Sequence, residues 1–383
     1  MKYILVVFSL LVIIYACKRE KGGFVNNIAE RTLEIDDVLS SGAKLGEKIT
    51  GVSAIRLETN QNCMIGNVEQ IKMHNEKFFI LDSHNHALLV FNKKGRFLFK
   101  ISAIGRGPGE YLFLRDFIID DIKDEIIILG AHNKIIRYDN QGGFIAEKTL
   151  GFTPLKFATV SDGTFYFWNG INSSGQAPLV RTDVEFNVIE SYFNDVVEEL
   201  TTSNMFTFYE GETYLRPFFD KHENIIYKLS SSGVEAKHQL DFGSKNWPKS
   251  IDIHRDSPLR DDDYIYGVRN FFEGNKYISF SFSLKKLLYQ ALYNKKTQQS
   301  YCCKSYFAGT LPEAIISSIQ FFENEVYYSV VEPFYIKEYL DTYKMNDSNY
   351  DYSLISGKLK EIYSLLDEVN ESDNPILFTF AIF

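Results

Sequence analysis

The feature that most constrains this chain is a stretch that nearly repeats itself. Residues 78–110 read FFILDSHNHALLVFNKKGRFLFKISAIGRGPGE, and about 47 positions later residues 126–147 read IIILGAHNKIIRYDNQGGFIAE. Both pass through an apolar run, a small polar turn (HNH, then HNK) and a second apolar run ending Phe91-Asn92 or Tyr138-Asp139. A Gly turn follows, then a third run led by Phe97 or Phe144. A period of about 40–50 residues holding three or four short strands is the mark of a propeller blade.

Other β-rich runs bounded by Gly, Asn, Asp and Lys turns extend the pattern. A first blade falls at 68–101 and a second at 115–150. A weaker third spans 155–192, a fourth 206–242 and a fifth 266–306. The sixth starts with 315–322 and 326–331, and then the pattern changes. In 356–369, Leu359, Ile362, Leu365, Leu366 and Val369 recur at three- and four-residue steps among charged neighbours. That is the apolar stripe of an amphipathic helix. Residues 333–373 are therefore expected to form a helical insertion in the last blade, packed by those five side chains. Residues 374–383 end the chain in an apolar strand that supplies the third strand of blade six, and 52–57 supplies the fourth. Pairing the two ends closes the ring and removes exposed strand edges. The fold class expected is all-β: a six-bladed β-propeller over 45–383 with a small C-terminal helical insertion.

The start of the chain bears on location. After Met1-Lys2, residues 4–14 are apolar except for Ser9, a length suited to a signal-peptide core and too short to span a bilayer. The run ends Ile14-Tyr15-Ala16-Cys17, which resembles a bacterial lipobox. Residues 1–16 then form the signal, Cys17 carries the lipid, and the polar stretch 17–44 is the tether. A plain secretory signal with a nearby Cys is the alternative. Either reading exports the protein, and with the lipobox an outer-membrane anchor through Cys17 is expected.

Composition excludes several classes. A formal net charge of −9 argues against general nucleic-acid binding. Aromatics make up 15% of the chain and sit in strand-like runs, where packing between blades accounts for them more simply than a carbohydrate-binding platform. Beyond Cys17 only Cys63, Cys302 and Cys303 remain, which is not a disulfide framework. No CxxC pair or HExxH is present, so neither a zinc site nor any other cofactor is expected.

Several segments carry a family resemblance. They are Arg56-Leu57-Glu58-Thr59, Phe79-Ile80-Leu81-Asp82-Ser83, Gly105-Arg106-Gly107-Pro108-Gly109-Glu110-Tyr111, Leu215-Arg216-Pro217, Leu240-Asp241-Phe242-Gly243 and Asp373-Asn374-Pro375-Ile376-Leu377. In this order, and with the lipobox, the chain resembles the six-bladed β-propeller lipoproteins of Bacteroides and related gut bacteria. The GRGPGEY stretch is also similar to the loop between NHL-type repeats. The resemblance implies fold and location, and no activity comes with it.

Loops from the second to the third strand of each blade share one end of the ring with the connections between blades. This end gathers His84, His86, His132, Arg106, Glu110 and the 243–263 connection, so it is the expected place for a ligand. His84, His86 and His132 either approach one another as metal ligands or are equivalent turn residues of a repeat; the repeat explains them without a metal. Asp252, His254 and Asp256 are either calcium-seeking or a solvated acidic loop, and no EF-hand spacing supports the first. Arg106 and Glu110 are expected to tie neighbouring loops together. Arg216 and Arg269 can clamp an anionic group or form structural ion pairs. No nucleophile with its base is legible, so no catalytic residue is assigned.

Recognition of a glycan, peptide or envelope protein is the leading functional reading. A hydrolase or lyase at the channel mouth would require a polar cluster of perturbed protonation there. Recognition would require an exposed aromatic or apolar patch. A structural subunit of an envelope complex needs neither.

Overall fold

The computed structural model describes residues 22–23, 25, 28–35, 48–169, 176–194, 199–200, 204–219, 224–246, 264–304, 315, 319–338, 362 and 364–383. Six radial sheets are present among them. The first blade is an antiparallel meander of Val68–His74, Lys77–Asp82, Ala87–Asn92 and Phe97–Ile101. The second runs from Leu114–Asp120 to Phe144–Thr149, the third from Lys156–Thr159 to Val188–Tyr192 and the fifth from Tyr266–Glu273 to Ser300–Lys304. In each case the leading strand is innermost. Those inner strands lie beside one another around the axis, that of the sixth blade, Ile319–Glu323, beside that of the first.

The sixth blade is built from both ends of the chain, in the order Ile49–Arg56, Ile376–Ile382, Val326–Val331, Ile319–Glu323. Arg56 is opposite Ile376 and Ala54 opposite Phe378. The ring closes as the sequence leads one to expect. Between Val326–Val331 and Ile376–Ile382 lies the helical insertion, helical at 333–338 and again at 364–367. Ile362, Leu366 and Val369 are buried in one cluster with Phe322, Tyr327, Ile376 and Phe378, and Leu365 packs against it. Leu359 lies outside the described residues. No helix among the described residues is long and apolar enough to cross a membrane.

The stretch expected to be tether up to residue 44 joins the fold much sooner. Arg31–Glu34 adds a fifth strand to the fourth blade, parallel to Gly233–Asp241, with Leu33 opposite Leu240. Leu33 and Ile35 are buried between the fourth and fifth blades. A single Leu in RTLE gives no alternation to read. The strand exists because an outer edge with unmade backbone hydrogen bonds is available to it. Leu33→Ala is expected to cost about 3 kcal/mol, the usual penalty for emptying a fully buried Leu site. Urea denaturation checks this, and a change under about 0.5 kcal/mol, typical of a surface position, would mean the strand is ornamental.

Blade interfaces carry the core. Phe79, Leu81, Leu88 and Val90 of the first blade meet Phe117, Ile126 and Ile136 of the second. Between the fourth and fifth blades a polar pair is buried as well. His238 Nε2 and Glu273 Oε2 are 2.7 Å apart, and Lys295 Nζ donates to Glu273 Oε1 at 2.9 Å. Burial by itself would raise the Glu273 carboxyl. The His238 and Lys295 hydrogen bonds and charges outweigh it and hold the group at about 2.

Candidate functional site

The predicted loop residues are placed by local backbone chemistry. Asp82 is buried and its carboxylate accepts from the backbone N–H of Gly66, Asn67, His84 and Asn85 at 2.8–3.1 Å. One buried carboxylate thus folds the whole HNH turn, leaving His84 exposed and His86 half-buried. His132 is exposed, in the left-handed region at φ 57°. Among the described residues no group of three His, Cys, Asp or Glu side chains is placed to hold a metal. Residues 247–263, with Asp252, His254 and Asp256, lie outside the described residues.

The GRGPGEY loop differs from expectation in one respect. Glu110 reaches back to the Gly107 N–H at 2.7 Å, so it fastens its own turn and not a neighbouring loop. Glu147 and Tyr138 of the second blade make the outside ties, on the Gly109 N–H (2.8 Å) and carbonyl (2.5 Å). Gly109 has φ +71° and the Phe144 ring 2.7 Å from where a Cβ would stand, so only glycine suits this position. Arg106 is exposed at the tip.

Arg216 is buried. Its guanidinium donates to Asn224 Oδ1 at 3.2 Å, and burial lowers its pKa to about 10. Arg269 lies on the inner strand of the fifth blade, its guanidinium also lowered by burial.

The structure adds a group of residues that the sequence reading missed. Lys72 sits midway along the inner strand of the first blade. Its Nζ lies 5.6 Å from the ring centre of Phe117 in the second blade and 5.0 Å from that of Phe208 in the fourth. A side chain from blade one that reaches blade four spans the central channel. Lys156 of the third blade likewise reaches Glu69 of the first, at 3.3 Å, and donates to the Arg115 carbonyl at 3.3 Å. Asp116 is buried beside them. Its Oδ2 accepts from the Phe157 N–H at 2.8 Å, while its Oδ1 has no hydrogen-bond partner among the described residues. Gln70 Oε1 is also buried without a partner among the described residues.

The electrostatics follow from enclosure. Burial pulls the Lys72 ammonium down to about 8, opposed by the charges of Asp116 and Asp121 and assisted by Lys156. Burial raises the Asp116 carboxyl, opposed by Lys156 and Lys72. Toward the other end of the channel, burial and the nearby Asp121 push Glu323 to about 7 despite His74. His74 itself touches Asp121 at 3.0 Å and Asp124 at 3.2 Å.

A line of contacts joins this interior to the loop end. The His86 ring lies 6.2 Å from that of Phe113, and the Arg115 guanidinium lies 5.3 Å over Phe113 while donating to the Pro154 carbonyl at 2.8 Å. Lys156 follows, then Glu69. Met64, Ile104, Phe113, Phe334 and Tyr335 expose apolar surface on segments at this same end. The arrangement offers donors, unfilled acceptors and aromatic faces, the elements of a polar small-molecule site. The signal in the sequence was the charge carried by first strands of successive blades, in Glu69, Lys72, Asp116 and Lys156.

A crystal structure from Bacteroides fragilis, of a protein named for its presumed export, matches with a TM-score of 0.72 and 21% identity, over 92% of this chain and 99% of that one. A member of the DUF4221 family from Bacteroides vulgatus matches with a TM-score of 0.50 and 11% identity, over 88% of this chain and 97% of that one. At these identities the likeness is one of fold. Among curated proteins none matches the sequence. The model of the family described as "Domain of unknown function (DUF4934)" matches residues 31–381, and the chain belongs to that family.

Proposed function

We propose that this protein is a cell-envelope lipoprotein, anchored in the outer membrane through Cys17, that recognises a small polar ligand at the loop end of its propeller channel. The observation that carries the reading is the continuous line His86–Phe113–Arg115–Lys156–Glu69, leading from the loops to Lys72 and the unfilled oxygen of Asp116. Loops on a stiff ring hold such groups without the entropy cost of ordering a free segment. Arg106, Glu110, His84 and His132 then form the outer approach to the site. The lipobox and the likeness to a Bacteroides fragilis protein named for export support the envelope location.

Lys72→Met is the decisive variant, because methionine keeps the stem between Phe117 and Phe208 and removes the ammonium. In a screen of glycans and short peptides against the form lacking residues 1–17, a hit is expected to weaken at least tenfold in this variant, about 1.4 kcal/mol. Unchanged affinity for every hit would overturn the site.

A second reading rests on the displaced protonation of Lys72, Asp116 and Glu323, which a hydrolase or lyase requires. Turnover of a hit that disappears in Lys72→Met would favour it over recognition.

A further inference from the structure

We infer that the outer rim of blades one to three rests on the lipid bilayer. The inference depends on the lipid anchor proposed above and adds to it a surface and an orientation. Its first support is the number of residues between the anchor and the fold. Gly22 pairs in parallel with Ser191 on the outermost strand of the third blade, and the Gly23 N–H donates to the Ser191 carbonyl at 2.7 Å. At Gly23 a Cβ would lie 2.2 Å from the Tyr192 ring, so the chain approaches this strand as only glycine allows. Val25 and Ala29 then pack against the cluster between the third and fourth blades, Glu30 pairs with Lys237 at 2.7 Å, and Arg31–Glu34 joins the fourth blade. Residues 22–23, 25 and 28–35 thus lie strapped along the rim. Five residue steps separate Cys17 from Gly22, a reach of about 17 Å at full extension. A lipid on Cys17 therefore holds the rim of the third blade against the membrane surface.

The second support is independent of the anchor. The outermost strands of blades one, two and three each contain a register irregularity at the same place in the repeat. It falls at Leu98 (between the pairs of Phe97 and Phe99), at Ile145 (between those of Phe144 and Ala146) and at Ile189 (between those of Val188 and Glu190). The bulged residue is aliphatic every time, and its exposure is 43%, 44% and 45%. A bulge re-aims a side chain outward. Phe144, Val184 and Val188 add exposed apolar surface on the second and third blades, and Lys148 ties those blades to one another through the Glu185 carbonyl. In the fourth blade the same bulge position is Lys237, and there the strap covers the edge. The aliphatic bulges stop at the third blade, where the N-terminal segment first meets the rim. Isolated exposed aliphatics need no explanation, but three at one repeat position beside the anchor's point of arrival form a surface suited to the headgroup–acyl boundary.

The test uses the full chain, processed in a bacterial host and placed in phosphatidylethanolamine–phosphatidylglycerol nanodiscs with brominated acyl chains. Ile145→Trp and Ile189→Trp report the rim, and Lys296→Trp reports the exposed turn of the fifth blade. The unsubstituted protein gives the baseline from Trp168 and Trp247. Each rim tryptophan is expected to lose about half of its added emission to the bromine, as a side chain seated at the boundary does, while Lys296→Trp keeps its own. An N-terminal peptide without acyl mass, or Cys17→Ser protein that is cleaved after residue 16 and still stays in the membrane fraction, overturns the anchor and the inference with it. Acylated protein whose rim tryptophans are unquenched, or quenched no more than Lys296→Trp, overturns the rim contact and leaves the anchor standing.

Discussion

Deletion of residues 374–383 is expected to leave a chain with no cooperative unfolding transition. The strand Ile376–Ile382 is the third of four in its sheet and pairs on both sides, with Val326–Val331 and with Ile49–Arg56. Removing it exposes two strand edges at once. Ile376, Leu377, Phe378 and Phe380 are all essentially fully buried. At about 2 kcal/mol for each side chain the loss is near 8 kcal/mol, comparable with the whole stability of an ordinary domain. Asn374 adds to this. Its side chain accepts from the Ile65 N–H and donates to the Glu58 and Cys63 carbonyls, each at 2.8 Å. Size-exclusion chromatography and differential scanning calorimetry check the result. A monomer with a cooperative endotherm would show that the ring does not need its clasp.

Glu273→Gln is expected to cost about 2–3 kcal/mol near neutral pH, because it removes the carboxylate that accepts from Lys295 and bonds buried His238. The pH dependence has a definite sign. The folded carboxyl is held at about 2, below its unfolded value, so it contributes stability above the unfolded range. That contribution, about 3 kcal/mol from the displacement, is lost as pH falls from about 4.5 toward 2. Denaturant midpoints of wild type and variant should therefore converge on acidification through this window. A gap that stays constant between pH 6 and pH 3 would mean that the carboxylate charge is not what stabilises the interface.

The fold was legible because its strands announce themselves. Runs such as Lys77–Asp82 and Ala87–Asn92 are apolar over most of their length and are bounded by turn residues, so the meander of the first blade could be placed at 68–101. Closure was legible for a different reason: a last blade with two strands leaves the apolar termini only one place to go. The strand Arg31–Glu34 was not legible, since a parallel partner 200 residues away leaves no local pattern in four residues. The channel group was missed by the same logic. Lys72 within VEQIKMH reads as the outward half of an alternating strand. Only the closed ring brings it to Phe208 of the opposite blade, and only that enclosure lowers its pKa. Loop histidines attract notice in a sequence, whereas here a buried carboxylate, Asp82, organises their turn.

The clasp between Ile49–Arg56 and Ile376–Ile382 also sets the order of events when the chain is made. Its partners lie more than 300 residues apart, and bringing such distant segments together costs about 5 kcal/mol of chain entropy before any contact forms. Such non-local pairing is slow. The early strand must wait, with one edge unpaired, until Ile376–Ile382 has been synthesised and delivered. A product that stops short of this strand has every blade but the last and still cannot seal. The strand Ile376–Ile382 thereby acts as a late checkpoint: the native ring forms only from a molecule translated through it, and shorter products present the open edges that cellular proteases and chaperones recognise.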